Sequence, residues 1–193
     1  MGKVVVIGAS AGGVDALMQI VRDLPAGLPA PICAVIHIAP DAHSVLPQIL
    51  TRRGALKAVH AEEGMVLEPG VIYLAPPDYH LRIGRYGRLH IGHQAREHHN
   101  RPAIDPLFRS AARAYKENAI AVVLTGNLDD GTEGTMAIKA HGGVVIVQDP
   151  RDAAYPSMPQ SVLQHAHVDA CVPLPAIVPA IVRFVEDGRV ISG

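Results

Sequence analysis

A short apolar segment that stops at a glycine-rich turn places the strongest constraint on the fold. Residues 4–7 are a run of Val and Ile, and the turn Gly8-Ala9-Ser10-Ala11-Gly12-Gly13 follows at once. Such a run suits a strand that is buried on both faces of a parallel sheet. From Gly13 onward apolar residues recur at helical spacing until Pro25, so we expect a helix. The chain therefore begins with a strand, a turn and a helix, the repeating unit of an α/β fold.

The same alternation continues along the chain. Apolar runs predict further buried strands over residues 32–38, 119–124, 143–148 and 170–172, and helices over residues 44–53, 130–141, 157–165 and 176–186. Residues 59–61 and 71–74 are predicted to be short, partly antiparallel strands, and residues 80–83 and 89–91 a hairpin.

One helix start carries an explicit signal. Asp105 followed by Pro106 predicts an N-cap acid with proline at the first helical position, in a helix that runs to about Asn118. The complete pattern predicts an α/β fold with a doubly wound, mainly parallel sheet flanked by helices and a small antiparallel hairpin insertion. We expect residues 1–193 to form one domain.

Composition excludes several classes of function. Hydrophobic residues make up 49% of the chain, Trp is absent, and 17 Lys and Arg balance 18 Asp and Glu, so we expect no nucleic-acid partner. No apolar run approaches the roughly 20 residues that span a bilayer, and the first residues do not resemble a signal peptide. We therefore expect a cytoplasmic protein without membrane insertion. Cys33 and Cys171 lie in apolar segments and are predicted to be two buried thiols.

Three polar groups follow predicted strands and could form one site. Ser10 follows the first strand, His37 ends the second, and Asp129-Asp130 follows residues 119–124. The carboxyl ends of parallel strands meet at one edge of a sheet, so these side chains should lie together. A serine needs an imidazole to accept its proton, and the imidazole needs a carboxylate to orient it. The sequence therefore predicts a Ser-His-Asp triad.

The surroundings of Ser10 support this hypothesis. Gly8-Ala9-Ser10-Ala11-Gly12 matches G-x-S-x-G between a strand and a helix, a context in which small neighbours let the serine protrude. Backbone N–H groups at the start of the following helix also suit an oxyanion.

Each residue also has a simpler interpretation. Ser10 could be an N-cap, His37 an ordinary residue at a strand end, and Asp130 a helix cap that forms a capping box with Glu133. A strand, glycines and a helix also suit a dinucleotide, although the second strand offers His37 rather than an acid for a ribose. A non-catalytic scaffold is the third alternative.

The chain contains 11 His, which raises the question of a metal site. The group His90, His93, His98 and His99 falls in the hairpin and the following loop, with no cysteine or carboxylate at ligand spacing. We interpret this group as a solvated loop, and expect no metal and no cofactor.

Several segments together resemble the catalytic domain of the bacterial chemotaxis receptor methylesterases, the protein-glutamate methylesterases. The resemblance covers nearly the whole chain. The segments are Ile7-Gly8-Ala9-Ser10-Ala11-Gly12-Gly13, Val35-Ile36-His37, Pro69-Gly70-Val71-Ile72-Tyr73-Leu74-Ala75-Pro76-Pro77, Arg101-Pro102-Ala103-Ile104-Asp105, Leu124-Thr125-Gly126, Asp130-Gly131 and Tyr155-Pro156-Ser157-Met158-Pro159.

The resemblance implies a role for each of the three residues. Ser10 would be the nucleophile, His37 the general base and acid, and Asp130 the orienting carboxylate. The implied reaction is hydrolysis of glutamate γ-methyl esters, with glutamine deamidation as a second activity. The implied partners are methylated chemoreceptor cytoplasmic helices or another methyl-esterified protein.

The chain departs from the family pattern in three places. Ala11 stands where the family usually has Thr, and Asn127-Leu128 stands where it has Met-Gly. The Ala11 backbone and the Asn127 amide are candidates for binding the oxyanion. The family's usual form also has an N-terminal receiver domain, and none fits before Val4. We therefore expect activity that needs no phosphodonor.

Overall fold

The computed structural model of the chain describes residues 2–37 and 45–187. Seven strands form the main sheet, in which each neighbouring pair is parallel. They are β1 (Val4–Ala9), β2 (Ile32–Ile36), β3 (Lys57–His60), β4 (Val71–Leu74), β7 (Ala119–Val123), β8 (Val144–Gln148) and β9 (Ala170–Val172). The antiparallel hairpin consists of β5 (His80–Ile83) and β6 (Leu89–Gly92). The expected α/β fold with a hairpin insertion is confirmed.

Six helices flank the main sheet in the described ranges. They are α1 (Gly13–Asp23), α2 (Leu46–Arg53), α3 (Ile104–Tyr115), α4 (Thr132–Ala140), α5 (Ser157–His165) and α6 (Leu174–Asp187). Pro47 lies in the first turn of α2, where the missing N–H costs nothing. The predicted ends at Ile38 and Ser44 lie outside the described residues.

The strand order contains a switch at the centre of the sheet. The order is β3-β4-β2-β1-β7-β8-β9, so the three strands that follow β1 in sequence in this sheet lie on one side of it, and β7, β8 and β9 lie on the other. In such a sheet the connections after the two central strands diverge and leave a crevice at their carboxyl ends. The segments that follow β1 and β7 carry Ser10 and Asp130.

Alternate residues of each strand face two different helix layers. Val5 and Ile7 of β1 pack in the core that includes α1, α2 and α6. Val4 and Val6 face the other core, which includes α3, α5 and the hairpin. Both faces of β1 are buried, and this explains its uninterrupted run of apolar residues.

Of the short strands that were expected to be partly antiparallel, β3 and β4 pair in parallel and β5 and β6 pair antiparallel. Two other local expectations were wrong. Cys171 is exposed rather than buried, because β9 is an edge strand of the sheet. Asp105 is the second residue of α3 rather than its N-cap, which is Ala103. The Asp105 carboxylate instead accepts the N–H of Gly134, at 2.6 Å.

Gly8 allows α3 to lie close against the central strand. A Cβ atom at Gly8 would lie 2.5 Å from Ile104 Cγ2, a distance that forces movement. We expect Gly8→Ala to lower the free energy of unfolding by about 1–3 kcal/mol, measured by urea denaturation. Combined with Ile104→Ala, the cost should be smaller than the sum of the two single changes, because the second change removes the colliding atoms. Strictly additive costs would show that this contact does not limit the packing.

Candidate active site

Ser10 lies in a tight turn between β1 and α1. Its N–H continues the ladder of the sheet by donating to Thr125 O at 3.1 Å, and its carbonyl accepts the N–H of Gly13 at 2.8 Å. Gly12 adopts a φ of +73°, which favours glycine, and a Cβ at Gly13 would lie 2.6 Å from the Ala9 Cβ. The glycines are therefore required for the turn that presents the serine.

His37 follows β2, next to the end of β1. Its N–H donates to Ala9 O at 3.2 Å, so the ladder between the two strands extends as far as the histidine. His37 Nδ1 lies 3.0 Å from Ser10 Oγ, and His37 Nε2 lies 2.8 Å from Asp130 Oδ2. In a neutral ring Nε2–H donates to the carboxylate, and Nδ1 accepts from the hydroxyl.

The three side chains grouped by the sequence are thus brought together in one continuous line. The His37 side chain is 11% exposed and the Asp130 side chain 2%. The low exposure of both side chains strengthens their electrostatic interaction.

The Asp130 carboxylate is held by the first turn of α3. Its Oδ2 accepts the N–H of Ile104 at 2.7 Å, and its Oδ1 accepts the N–H of Asp105 at 3.0 Å. These amides are free at a helix N-terminus, where the helix dipole also favours a negative charge. Helix α4 has Gly131 as its N-cap, with no side-chain cap. Asp130 therefore does not cap its own helix, and the capping-box alternative is wrong.

Backbone amides beside Ser10 are available to a ligand. Within the described residues, the N–H groups of Ala11 and Gly12 take part in no hydrogen bond. Thr125 Oγ1 donates to Ala11 O at 3.1 Å and so fixes the peptide between Ala11 and Gly12. The peptide is planar, so the Gly12 N–H points away from this contact.

Asn127 is exposed and follows Gly126, which lies directly against the serine. A Cβ built at Gly126 would lie 2.8 Å from the Ser10 Cβ.

A second histidine and a second carboxylate lie behind Asp130, and sequence reasoning missed both. His98 Nε2 lies 2.9 Å from Asp105 Oδ2, and His98 Nδ1 lies 3.2 Å from Asp129 Oδ1. The interpretation of this histidine as part of a solvated loop without a nearby carboxylate was therefore wrong. Its partners are 7 and 31 residues away in sequence, and the start of α3 brings them together.

The charges of this cluster shift its pKa values. Burial, followed by the negative charge of Asp130, raises the pKa of Asp105 to about 6. Partial burial lowers the pKa of His98, but the charges of Asp130, Asp105 and Asp129 outweigh it and leave that pKa above its ordinary value. At neutral pH the cluster thus favours an ionised Asp105 beside a charged His98.

Side-chain atoms of His98, Asp105 and Asp130 lie within 4.8 Å of one another, close enough to bind a metal ion. Asp130 Oδ2 already accepts from Ile104 and His37, however, and both nitrogens of His98 face carboxylates. A cation bound there would compete with His37 for Asp130, so we describe the group as an ion pair. His90 and His93 pair with Glu63 and Asp78 on the surface.

Comparison with known proteins identifies the family. The model of the CheB methylesterase family matches residues 5–181. A putative protein-glutamate methylesterase/protein-glutamine glutaminase of Leptospira interrogans is 36% identical over 182 residues, which are 94% of each chain. The protein-glutamate methylesterase/protein-glutamine glutaminase of Thermotoga maritima is 36% identical over 187 residues, 95% of this chain but 54% of the relative.

The crystal structure of the Thermotoga maritima CheB methylesterase catalytic domain matches with a TM-score of 0.91 at 35% identity, covering 95% of this chain and 99% of that one. Among the described residues, no helix is long and apolar enough to cross a membrane. These matches favour an ester hydrolase over a dinucleotide-binding module or a scaffold. The chain belongs to the CheB methylesterase family of carboxylic ester hydrolases.

Proposed function

We propose that this chain hydrolyses glutamate γ-methyl esters on a protein, with Ser10 as the nucleophile, His37 as the general base and acid, and Asp130 as the orienting carboxylate. The observation that carries the proposal is the line of hydrogen bonds from Ser10 Oγ through His37 to Asp130, at 3.0 and 2.8 Å. The choice of a glutamate methyl ester as the substrate follows from the names of the relatives, which are protein-glutamate methylesterases.

In the first half-reaction the acyl group of the ester is transferred to Ser10. His37 Nδ1 takes the proton of Ser10 Oγ as this oxygen attacks the ester carbonyl, while Asp130 stabilises the resulting imidazolium through Nε2–H. The imidazolium then gives its proton to the methoxy oxygen. The bond between the carbonyl carbon and the methoxy oxygen breaks, methanol leaves, and Ser10 carries a glutamyl acyl group.

In the second half-reaction water takes the place of methanol. His37 accepts a proton from water as its oxygen attacks the acyl carbon, and then returns a proton to Ser10 Oγ when the acyl bond breaks. The product is a glutamate carboxyl group. The same sequence on a glutamine side chain would release ammonia, the second activity named for the relatives.

The N–H groups of Ala11 and Gly12 are our candidates for the oxyanion hole. Both lie in the turn that presents Ser10, and neither is used within the described residues. Ala11 lacks the hydroxyl usual at this position in the family, but a backbone donor does not depend on it. The exposed amide of Asn127 is a further candidate, and its part in binding the oxyanion stays a prediction.

Exposed apolar side chains around the serine support a protein substrate. Leu128 is 62% exposed and Tyr155 44%, and the carbonyl of Tyr155 accepts the N–H of Gly126 next to the site. Exposed apolar groups that surround a polar site are typical of a protein interaction surface. A chemoreceptor cytoplasmic helix is the partner we propose, with another methyl-esterified protein as the alternative. We propose the cytoplasm as the compartment in which they meet.

Labelling by a fluorophosphonate tests Ser10 without requiring the natural substrate. We expect the probe to modify Ser10, identified by peptide mapping, and Ser10→Ala and His37→Gln to abolish the labelling. Methanol release from methylated receptor fragments should fall by at least about three orders of magnitude in Ser10→Ala. The fold should remain, because the side chain is small and partly exposed.

Ser161→Ala is the matched control for this experiment. Ser161 lies in α5, where its hydroxyl binds Thr132 Oγ1 at 2.9 Å, and the variant should label normally. Labelling of the wild type at a different serine, or full methanol release by a folded Ser10→Ala variant, would refute the assignment.

Leu128 occupies a backbone conformation that suits glycine. Its φ is +65°, which costs a side chain roughly 1–2 kcal/mol, and the family usually has glycine here. We expect Leu128→Gly to raise the free energy of unfolding by up to about 1 kcal/mol in urea denaturation. The control Leu163→Gly, a 39% exposed position in α5, should lower it by about 1 kcal/mol. An equal loss in both variants would contradict the strained geometry at position 128.

A further inference from the structure

The two ring nitrogens of His98 both face carboxylate oxygens. Nε2 lies 2.9 Å from Asp105 Oδ2, and Nδ1 lies 3.2 Å from Asp129 Oδ1. The Nε2 contact is a hydrogen bond, whereas the Nδ1 contact is an ion-pair contact with an exposed carboxylate. Both contacts are more favourable for the imidazolium than for the neutral ring. The geometry therefore favours a positive charge on His98.

The charge of His98 lies beside two buried carboxylates. The Asp105 side chain is 0% exposed and the Asp130 side chain 2%, and their oxygens fall within 4.8 Å of one another. The negative charge of Asp130 makes ionisation of Asp105 less favourable, and a cation beside Asp105 offsets this repulsion. His98 is in direct contact with Asp105 and thus supplies that cation.

The other charged groups near the cluster are already paired. Arg109 of α3 lies near Asp105 and lowers the pKa of that carboxyl. Its guanidinium also binds Glu97 at 2.5 Å and lies 3.4 Å from Glu133, so its charge is divided among several carboxylates. Asp129 is 62% exposed, and solvent screens its charge. His37 faces Asp130 from the opposite side, at 2.8 Å.

The backbone beside His98 is strained. His98 and His99 have φ of +49° and +64°, and residues 97 and 100 bond to each other through both N–H groups, which makes a two-residue turn. Asn and Gly are the residues that such a turn favours. The turn holds the His98 ring against Asp105 in the first turn of α3.

We propose that His98 is a positioning residue for the hydrolysis: its imidazolium balances the charge of Asp105, so that Asp105 stays ionised and does not compete with His37 as a hydrogen-bond donor to Asp130. This inference rests on the proposed function of Ser10, His37 and Asp130. In the described part of the chain His98 pairs with Asp105 and Asp129 rather than with Ser10 or His37, and it acts through Asp105.

Removing the charge of His98 has a definite consequence for pH dependence. Without it, Asp105 retains its proton at a pH where the wild type has already released it. The Asp105 O–H is then a hydrogen-bond donor next to Asp130 and competes with His37 Nε2–H for that carboxylate, so the rate falls. The proton leaves as the pH rises, and the rate then recovers. The acid limb of the rate profile therefore moves to higher pH.

The experiment compares His98→Gln with the neighbouring control His99→Gln. His99 shares the left-handed backbone and is exposed, so the two variants carry the same substitution in the same turn. The charge-retaining variant His98→Lys tests for rescue. The readout is the rate of fluorophosphonate labelling at Ser10 from about pH 6 to about pH 9, a range that includes the ordinary imidazole pKa of about 6.5.

We expect His98→Gln to shift the midpoint of the acid limb upward by about one pH unit. At pH values below the midpoints of both the wild type and the variant, this shift is about a tenfold loss of rate. The rate at the alkaline end should match the wild type. His98→Lys should move the limb back toward its wild-type position, and His99→Gln should not move it. In methanol release, His98→Gln should lower kcat and leave KM nearly unchanged.

Two outcomes overturn the inference. A His98→Gln profile identical to that of His99→Gln would show that the charge is not needed. A loss of equal size at every pH, without a shift of the limb, would show a structural role only. In both cases normal labelling of wild-type Ser10 leaves the proposed function intact, whereas absence of labelling in the wild type overturns the proposed function and this inference with it.

Discussion

The Asp130 carboxylate accepts backbone N–H groups from Ile104 and Asp105 in the first turn of α3, and a further hydrogen bond from His37. These contacts join the loop after β7, the start of α3 and the end of β2. They require α3 to lie close to the central strand, which Gly8 permits by having no side chain toward Ile104. The direction of the His37 ring, and with it the distance to Ser10, follows from a carboxylate that the backbone holds from two sides.

The positions of Ser10 and His37 could be predicted from the sequence because both follow buried strands. A run of Val and Ile that ends at glycine marks the end of a strand, and parallel strands bring their ends to one edge. Asp130 could be predicted from the same rule, with a loop of several residues after β7. The parts of the site that depend on strand ends were therefore accessible without the structure. Their chemical roles stay predictions until Ser10 is labelled.

Asp105 and His98 show what could not be predicted. Local preference favours Asp before Pro as an N-cap, but a contact with Gly134, 29 residues away, draws the Asp105 carboxylate toward α4. The His98 ring reaches its partners only because a strained turn folds it back onto α3. Both cases depend on how α3 packs against α4 and the preceding loop. Such tertiary contacts leave no periodic signal in the sequence.

The N–H of His37 bonds to the carbonyl of Ala9, and the N–H of Ser10 bonds to the carbonyl of Thr125, so the sheet ladder continues up to the two residues that we propose to react. The spacing between the Ser10 and His37 backbones is then one strand separation, about 4.8 Å, and no loop conformation sets it. Segments that surround the serine, such as residues 127–128 and 153–156, can change in sequence without altering that spacing. In this fold the segments that select the substrate can therefore change during evolution while the spacing of Ser10 and His37 stays the same.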